Sequence, residues 1–313
     1  PFGSGHPALN GERPLNEPEG EQAFAAFADT FMRVLAPLLE CGVPWCFCPG
    51  NHDDDGSPWT RQDLLRIFAL PGCATPTATR FDHTLTVGFS ARADERSVRL
   101  WIFDSGPNRK DIKYEPVAAD AVHAYESLSQ TLPAVGAELA YVHVPLPEYA
   151  TARIVAGTCG LFEARVLAGM MPQPWQRMPR WLARRLGPLF GQDRAVGCSR
   201  VNTGLCTALA ERRTVRALSC GHNHFNDFVA LHGEGGPFLC FGRVSGLSPP
   251  VTWEHDGGHL PFEPGGRVLA VRTANGQPAH VETWVQMAEA SEDHIVLDPH
   301  EAARVTSVES GKV

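Results

Sequence analysis

Apolar residues along this chain fall into two periods. Phe24, Phe27, Phe31, Val34, Leu35 and Leu38 recur at helical spacing and predict a helix over 22–40 with one buried stripe, weakened in its last turn by Pro37. Residues 115–133 and 202–212 predict two more helices, and the segment near 60–70 a short one. Residues 81–90 and 97–104 instead alternate as strands do, with 91–96 as their turn. Apolar runs of strand length stand at 43–48, 139–142, 215–220 and 238–242, and strands near 267–273 and 279–286 are expected to close the sheet. Between them, 1–21 and 246–266 read as loop. Pro172, Pro174, Pro179 and Pro188 break up 150–201, and the polar, acidic stretch from 287 is expected to fray. No internal repeat is apparent.

Composition narrows this little. A chain of 313 residues can bury one large core or two modest ones. A net charge of −8 disfavours non-specific nucleic-acid binding. No run is long and apolar enough to span a membrane. Nine cysteines, an odd number without a Cys-x-x-Cys pair, read mostly as buried thiols and lean towards a reducing compartment. The basic residues comprise 24 Arg and 3 Lys. Arg177, Arg180, Arg184, Arg185 and Arg194, interleaved with Trp175 and Trp181, suggest a lid over a substrate site that brings guanidinium groups to an anion.

The chemistry gathers at strand ends. The run Val43-Pro44-Trp45-Cys46-Phe47-Cys48 is stopped by Pro49-Gly50, after which Asn51 and His52 follow. Leu139 to Val142 ends in His143. Val215 to Cys220 ends in Gly221-His222-Asn223-His224, whose two imidazoles are spaced to share a face in extended backbone. A strand fixes such groups while the following loop leaves them open to ligand. An amide oxygen and neutral imidazoles suit a divalent metal, and His52 could move a proton near neutral pH. Other candidates read more plainly. Asp53-Asp54-Asp55 suits a solvated turn and helix cap, and His255 and His259 surface positions.

Gly50-Asn51-His52-Asp53, the lone His143 within Val142 to Tyr149, and Gly221-His222-Asn223-His224 resemble the ordered motifs of calcineurin-like metallophosphoesterases. Phe103-Asp104-Ser105-Gly106 and His222 to Phe228 resemble their purple-acid-phosphatase-like branch. The resemblance runs from about Phe24 to about Gln286. It implies an α/β fold, a four-layer β-sandwich of two mixed sheets flanked by helices, in one domain over 1–286 with a polar tail over 287–313. It implies metal-dependent hydrolysis of phosphate esters, with monoesters as the expected class, on a phosphorylated small molecule or phosphoprotein. Two divalent or trivalent ions (Fe, Zn or Mn) would be expected. Asn51, His143 and His222 would hold one ion, His224 the other, and His52 would act as the acid.

One departure is large. The family's Asp-x-His and Gly-Asp motifs do not occur in residues 1–49. The chain is therefore expected to begin inside a longer protein, without the opening strand or strands and the bridging aspartate, and to be weakly active by itself. Two alternatives stand beside this reading: a non-catalytic binding or regulatory module with a degenerate metal site, and a phosphodiesterase of the same fold.

Overall fold

The computed structural model describes residues 18–54, 59–88, 94–109, 113–157, 196–224, 226–233, 235–245, 263–274 and 277–298. The Arg and Trp residues of the expected lid, together with Asp55, His255 and His259, lie outside the described residues.

The central element is a seven-stranded mixed sheet. Its strands are β1 (His83–Val87), β2 (Val98–Phe103), β5 (Ala137–Val142), β6 (Arg153–Ala156), β7 (Val215–Cys220), β8 (Val229–Leu231) and β9 (Phe238–Phe241), in the order β1-β2-β5-β7-β9-β8-β6. β2, β5, β7 and β9 run parallel, and antiparallel pairs close both edges. The parallel strands are joined by long crossovers, as that geometry demands. Helix α2 (Ala119–Thr131) lies between β2 and β5, and α3 (Leu205–Glu211) precedes β7.

Strand periodicity explains the layers. Ala140 and Val142 of β5 face one side, with Leu218 of β7 and Phe241 of β9, and meet Val122 and Tyr125 of α2 and Leu205 and Leu209 of α3. Ala137 and Leu139 face the other side, with Ala217 and Phe238. That face packs on a second sheet of β10 (Gly266–Ala274), β11 (Gln277–Gln286) and β12 (Ser291–Val296), through Ala279, Val281 and Leu297. Both faces of the central strands are thus covered, so Leu139, Ala217, Phe238 and Leu239 are buried regardless of parity.

Three expectations change. The strands at 266–274 and 277–286 do not extend the first sheet. With β12 they form a second sheet that is antiparallel throughout its described pairs, not mixed. Residues 291–297 do not fray, because Ile295 packs on the shared core and Leu297 is fully buried there. The run 43–48 joins no sheet. Trp45 makes an isolated bridge to Cys73, and Pro44 has no N–H to offer a ladder.

Helix α1 (Pro18–Glu40) is the predicted one, and its partner is a third apolar cluster. Phe24 meets Trp59 edge-on and Phe27 meets it at a tilt, and Phe31 meets Trp45 and Phe47 edge-on. Beyond Phe31 the packed face turns towards Leu35 and Leu39, which leaves Val34 and Leu38 exposed, contrary to the stripe read from spacing. The segment near 60–70 is a 3₁₀ turn, Asp63–Ala69. No side chain caps its N-cap residue, Gln62; Asp63 instead accepts from the Thr60 N–H and hydroxyl just upstream. A two-stranded ribbon, β3 (Asn108–Arg109) and β4 (Lys113–Tyr114), projects from the loop after β2. Beside the site it supplies Asn108 and Tyr114.

Candidate metal centre at the strand ends

β5 and β7 are parallel neighbours, so their carboxyl ends open on the same edge of the sheet. His143 follows the last residue of β5, and Gly221-His222 follows the last residue of β7. The Gly221 N–H donates to the His143 carbonyl at 3.0 Å, which locks the two turns together. The Pro49-Gly50-Asn51 turn reaches the same edge from the α1 side.

There the side chains converge on one atom. Asn51 is 1% exposed. Its Oδ1 lies 3.1 Å from His143 Nε2 and 3.0 Å from His222 Nδ1. Its Nδ2 donates to Asn108 Oδ1 at 2.7 Å, which fixes the amide so that its oxygen faces both imidazoles. In one tautomer each ring N–H donates to that oxygen. In the other, the same nitrogens present lone pairs to a cation.

The surroundings keep His143 neutral. Burial, with His52, His224 and Arg61 nearby, pushes its pKa down to about 3. A neutral imidazole is the form that binds metal. Space around the ring is scarce, since a Cβ built on Gly50 would stand 3.1 Å from His143 Nε2 and Cε1. Any larger residue at that position would press on the ring, which would have to give by a few tenths of an ångström. His222 has φ of 70°, a left-handed conformation that costs a β-carbon-bearing residue roughly 1–3 kcal/mol and clusters at functional sites. Its ring meets the edge of Tyr114 at 4.4 Å and of His143 at 5.5 Å.

His52 and His224 stand outside this three-residue contact. Asn108 Nδ2 and His52 Nδ1 are 3.4 Å apart, so Asn108 touches both His52 and Asn51. Burial, followed by the charge of His52, lowers the pKa of His224.

Further residues hold the loop. Arg61 donates to both Asp104 oxygens at 2.5 and 3.0 Å, to Asp54 at 2.9 Å and to the Gly50 carbonyl at 3.0 Å. Asp104 is thus a tether, its carboxylate bonded to Arg61 and to the Gly106 N–H. Asp53 Oδ2 accepts from the Gly50 N–H at 2.6 Å, and Ser105 Oγ accepts from the Val144 N–H at 3.2 Å. Sequence reasoning missed Arg61, Asn108 and Tyr114. Only the proximity of Asn108 to the Asp104-Ser105-Gly106 phrase could have flagged one of them.

The donor set, one buried amide oxygen and two partly buried imidazoles, is of the kind that suits a divalent cation. Among the described residues no trio of His, Cys, Asp or Glu ligand atoms lies within 4.8 Å of one another around Asn51. The group that does meet that distance is Asp227, Glu292 and Asp293, between the two sheets. Buried Arg243 pairs there with Asp227 and, at 2.5 Å, with Glu292, so this group reads as an internal ion-pair network.

Comparison with known proteins agrees with the phrase-level resemblance. No family model matches the chain, and no solved structure matches it. The chain is similar to an Arabidopsis thaliana protein named "Probable inactive purple acid phosphatase 14", 26% identical over 244 residues, covering 68% of this chain and 52% of the relative. It is similar to "Phosphatase DCR2" of Saccharomyces cerevisiae, 24% identical over 249 residues, 71% of this chain and 37% of the relative. A further Arabidopsis thaliana relative, "Probable inactive purple acid phosphatase 29", is 23% identical over 288 residues, 81% of this chain and 64% of its own length. The chain therefore spans between about a third and two thirds of these relatives. At this low identity the chain is similar to purple-acid-phosphatase-like proteins, some of them named inactive, and to a protein named a phosphatase, which is consistent with the resemblance read from its motifs.

Proposed function

We propose that the strand-end site serves metal-dependent hydrolysis of phosphate esters, monoesters in the first instance. The observation that carries this is the meeting of His143 Nε2 and His222 Nδ1 on Asn51 Oδ1, within 3.1 Å. Phosphatase relatives support the reaction class. Bound metal ions would polarise the phosphoryl oxygens and supply a nucleophilic water at neutral pH. Asn51, His143 and His222 would hold one of two ions and His224 would serve the other. The substrate would be a phosphorylated small molecule or phosphoprotein. His52 stands beside Asn108 at the margin and would give its proton to the leaving oxygen, a role worth about 10²–10⁴-fold. Arg61 and Asp53 keep the Asn51 turn in place while this happens. The proposed architecture is the four-layer sandwich. Helices on one face of the large sheet and a second sheet on the other support three of its layers.

Three neutral ligands hold a dication weakly, because no carboxylate offsets its charge. A carboxylate ligand would be needed to offset that charge, and turnover by this chain is proposed to be slow. A second reading, a metal-site-degenerate binding module, draws on the relatives named inactive.

The test is metal content by mass spectrometry and hydrolysis of p-nitrophenyl phosphate, against a diester, for the chain and for His143→Ala and His222→Ala. Chelator-sensitive turnover that both substitutions abolish is expected. Metal uptake that both substitutions abolish, without turnover at any metal loading, favours the module. Turnover indifferent to chelator and to both substitutions overturns the proposal.

A further inference from the structure

At the edge of the molecule opposite the metal centre, the starts of β6 and β7 and the end of β8 meet β11 and the end of β12 around an open cleft of about 1270 Å³. β7 separates the two regions. Its six residues put them roughly 17 Å apart at about 3.3 Å per residue. We propose that this cleft is a second ligand site, one that takes a small molecule bearing two or more phosphate groups.

The charge distribution carries the proposal. The whole chain has a net charge of −8, yet Arg153, Arg213, Arg216, His232 and His280 line this cleft against one described carboxylate, Asp298. The three arginines come from separate places: Arg153 opens β6, Arg213 stands in the turn before β7, and Arg216 lies within it. Arg216 is held by a bond from its guanidinium to the Leu297 carbonyl at 2.7 Å, so its fork is positioned before any ligand arrives. No ion pair joins Arg153 or Arg213 to an acidic group among the described residues. Unpaired arginines clustered in a concavity of an acidic protein repel one another, and a polyanion relieves that repulsion.

The type of cation and the size of the cleft set the ligand class. A guanidinium fork matches phosphate oxygens in bidentate geometry, which a lysine does not. The volume exceeds the roughly 300–1,000 Å³ of ordinary small-ligand pockets, room for more than one phosphate group and its carrier. His232 and His280 add ring-nitrogen donors to the same lining.

The experiment is calorimetric titration of the chain with tripolyphosphate, and with inorganic phosphate and citrate as controls, in chelator so that the metal centre does not contribute. Tripolyphosphate should bind with a steep salt dependence and at least about tenfold more tightly than either control. Arg153→Gln/Arg213→Gln should weaken it at least tenfold, whereas Asn51→Ala/His222→Ala should leave it unchanged. Because Arg153 and Arg213 carry no described partner, the Gln variant should keep the parent's unfolding midpoint. If it does not, Arg153→Lys/Arg213→Lys, which keeps the charge and loses the fork, should still bind several-fold more weakly. Three results overturn the site: no detectable binding, binding indifferent to the arginines, or binding lost with the metal-centre variant. The last would assign the anion to the strand-end site and leave the phosphoesterase reading intact.

Discussion

A single amide oxygen organises the candidate centre, and the residues pressed around it have little freedom. Gly50 shows this most directly, because its missing Cβ is the room in which the His143 ring sits. Gly50→Ala should move either the ring or the Asn51 turn by a few tenths of an ångström. Such displacements of supporting groups cost about 10–100-fold in metal affinity. Zinc titration of the variant should show that loss, and unaltered affinity would mean that the turn moves without disturbing the ligands. His83 offers a second test at this scale. Its Nδ1 bonds the Phe81 carbonyl at 2.6 Å, its Nε2 is buried without a partner, and burial lowers its pKa. The unfolded chain therefore binds the proton more readily than the fold does. Stability should be full above the unfolded value of about 6.5 and fall as pH drops from there towards the lowered folded value. His83→Phe should flatten that part of the urea-unfolding profile against pH. An unchanged slope would exclude His83 as its source.

At the scale of elements, the site is a junction of two strand ends and one loop, and the junction is held by Arg61. The guanidinium ties the 3₁₀ region to Asp104 at the end of β2 and to the Gly50 carbonyl, with 14% of its side chain exposed. Arg61→Met should leave Asp104 and Asp54 without their cation and cost about 3 kcal/mol in denaturant unfolding. Arg61→Lys should not restore it, since one ammonium cannot bridge both Asp104 oxygens and Gly50. A loss below about 0.5 kcal/mol for Arg61→Met would show that the pair is effectively solvent-screened. The strands that deliver His143 and His222 were legible in the sequence because each is a short apolar run cut by a turn. Val43 to Cys48 has the same look yet forms no ladder. An apolar run records burial, and only a partner's backbone makes it a strand.

For the whole molecule, the joint between the two sheets is the feature that sequence patterning hid. β12 and Leu297 sit in a stretch that reads as a polar tail, since four polar residues followed by Ile295, Val296 and Leu297 show no period. In the fold Leu297 is fully buried beside Val281, and its N–H donates to the Val281 carbonyl at 2.8 Å. Leu297→Ala should cost about 3 kcal/mol. At about 2–4 °C per kcal/mol, the thermal midpoint should drop by several degrees. A midpoint unchanged within error would mean that β12 is not integral to the core. The same joint builds the arginine cleft, whose lining comes from 151–153, 213–216, 231–233, 235–236, 278–281 and 296–298. No window of sequence contains it.

The sequence by itself determined the local chemistry: which residues can accept a metal, where strands stop, and that an aromatic helix must find a core. Those follow from side-chain type and from periods of two and 3.6, which need no knowledge of the rest of the chain. Tertiary structure alone decided that two imidazoles share the Asn51 oxygen, that Arg61 and Asn108 hold the loop in which it sits, and that the last strands form a separate sheet. Those are contacts between residues 43 to 171 positions apart. Their pairing is set by burying the greatest apolar area with every backbone donor satisfied, a property of the folded whole and not of any segment.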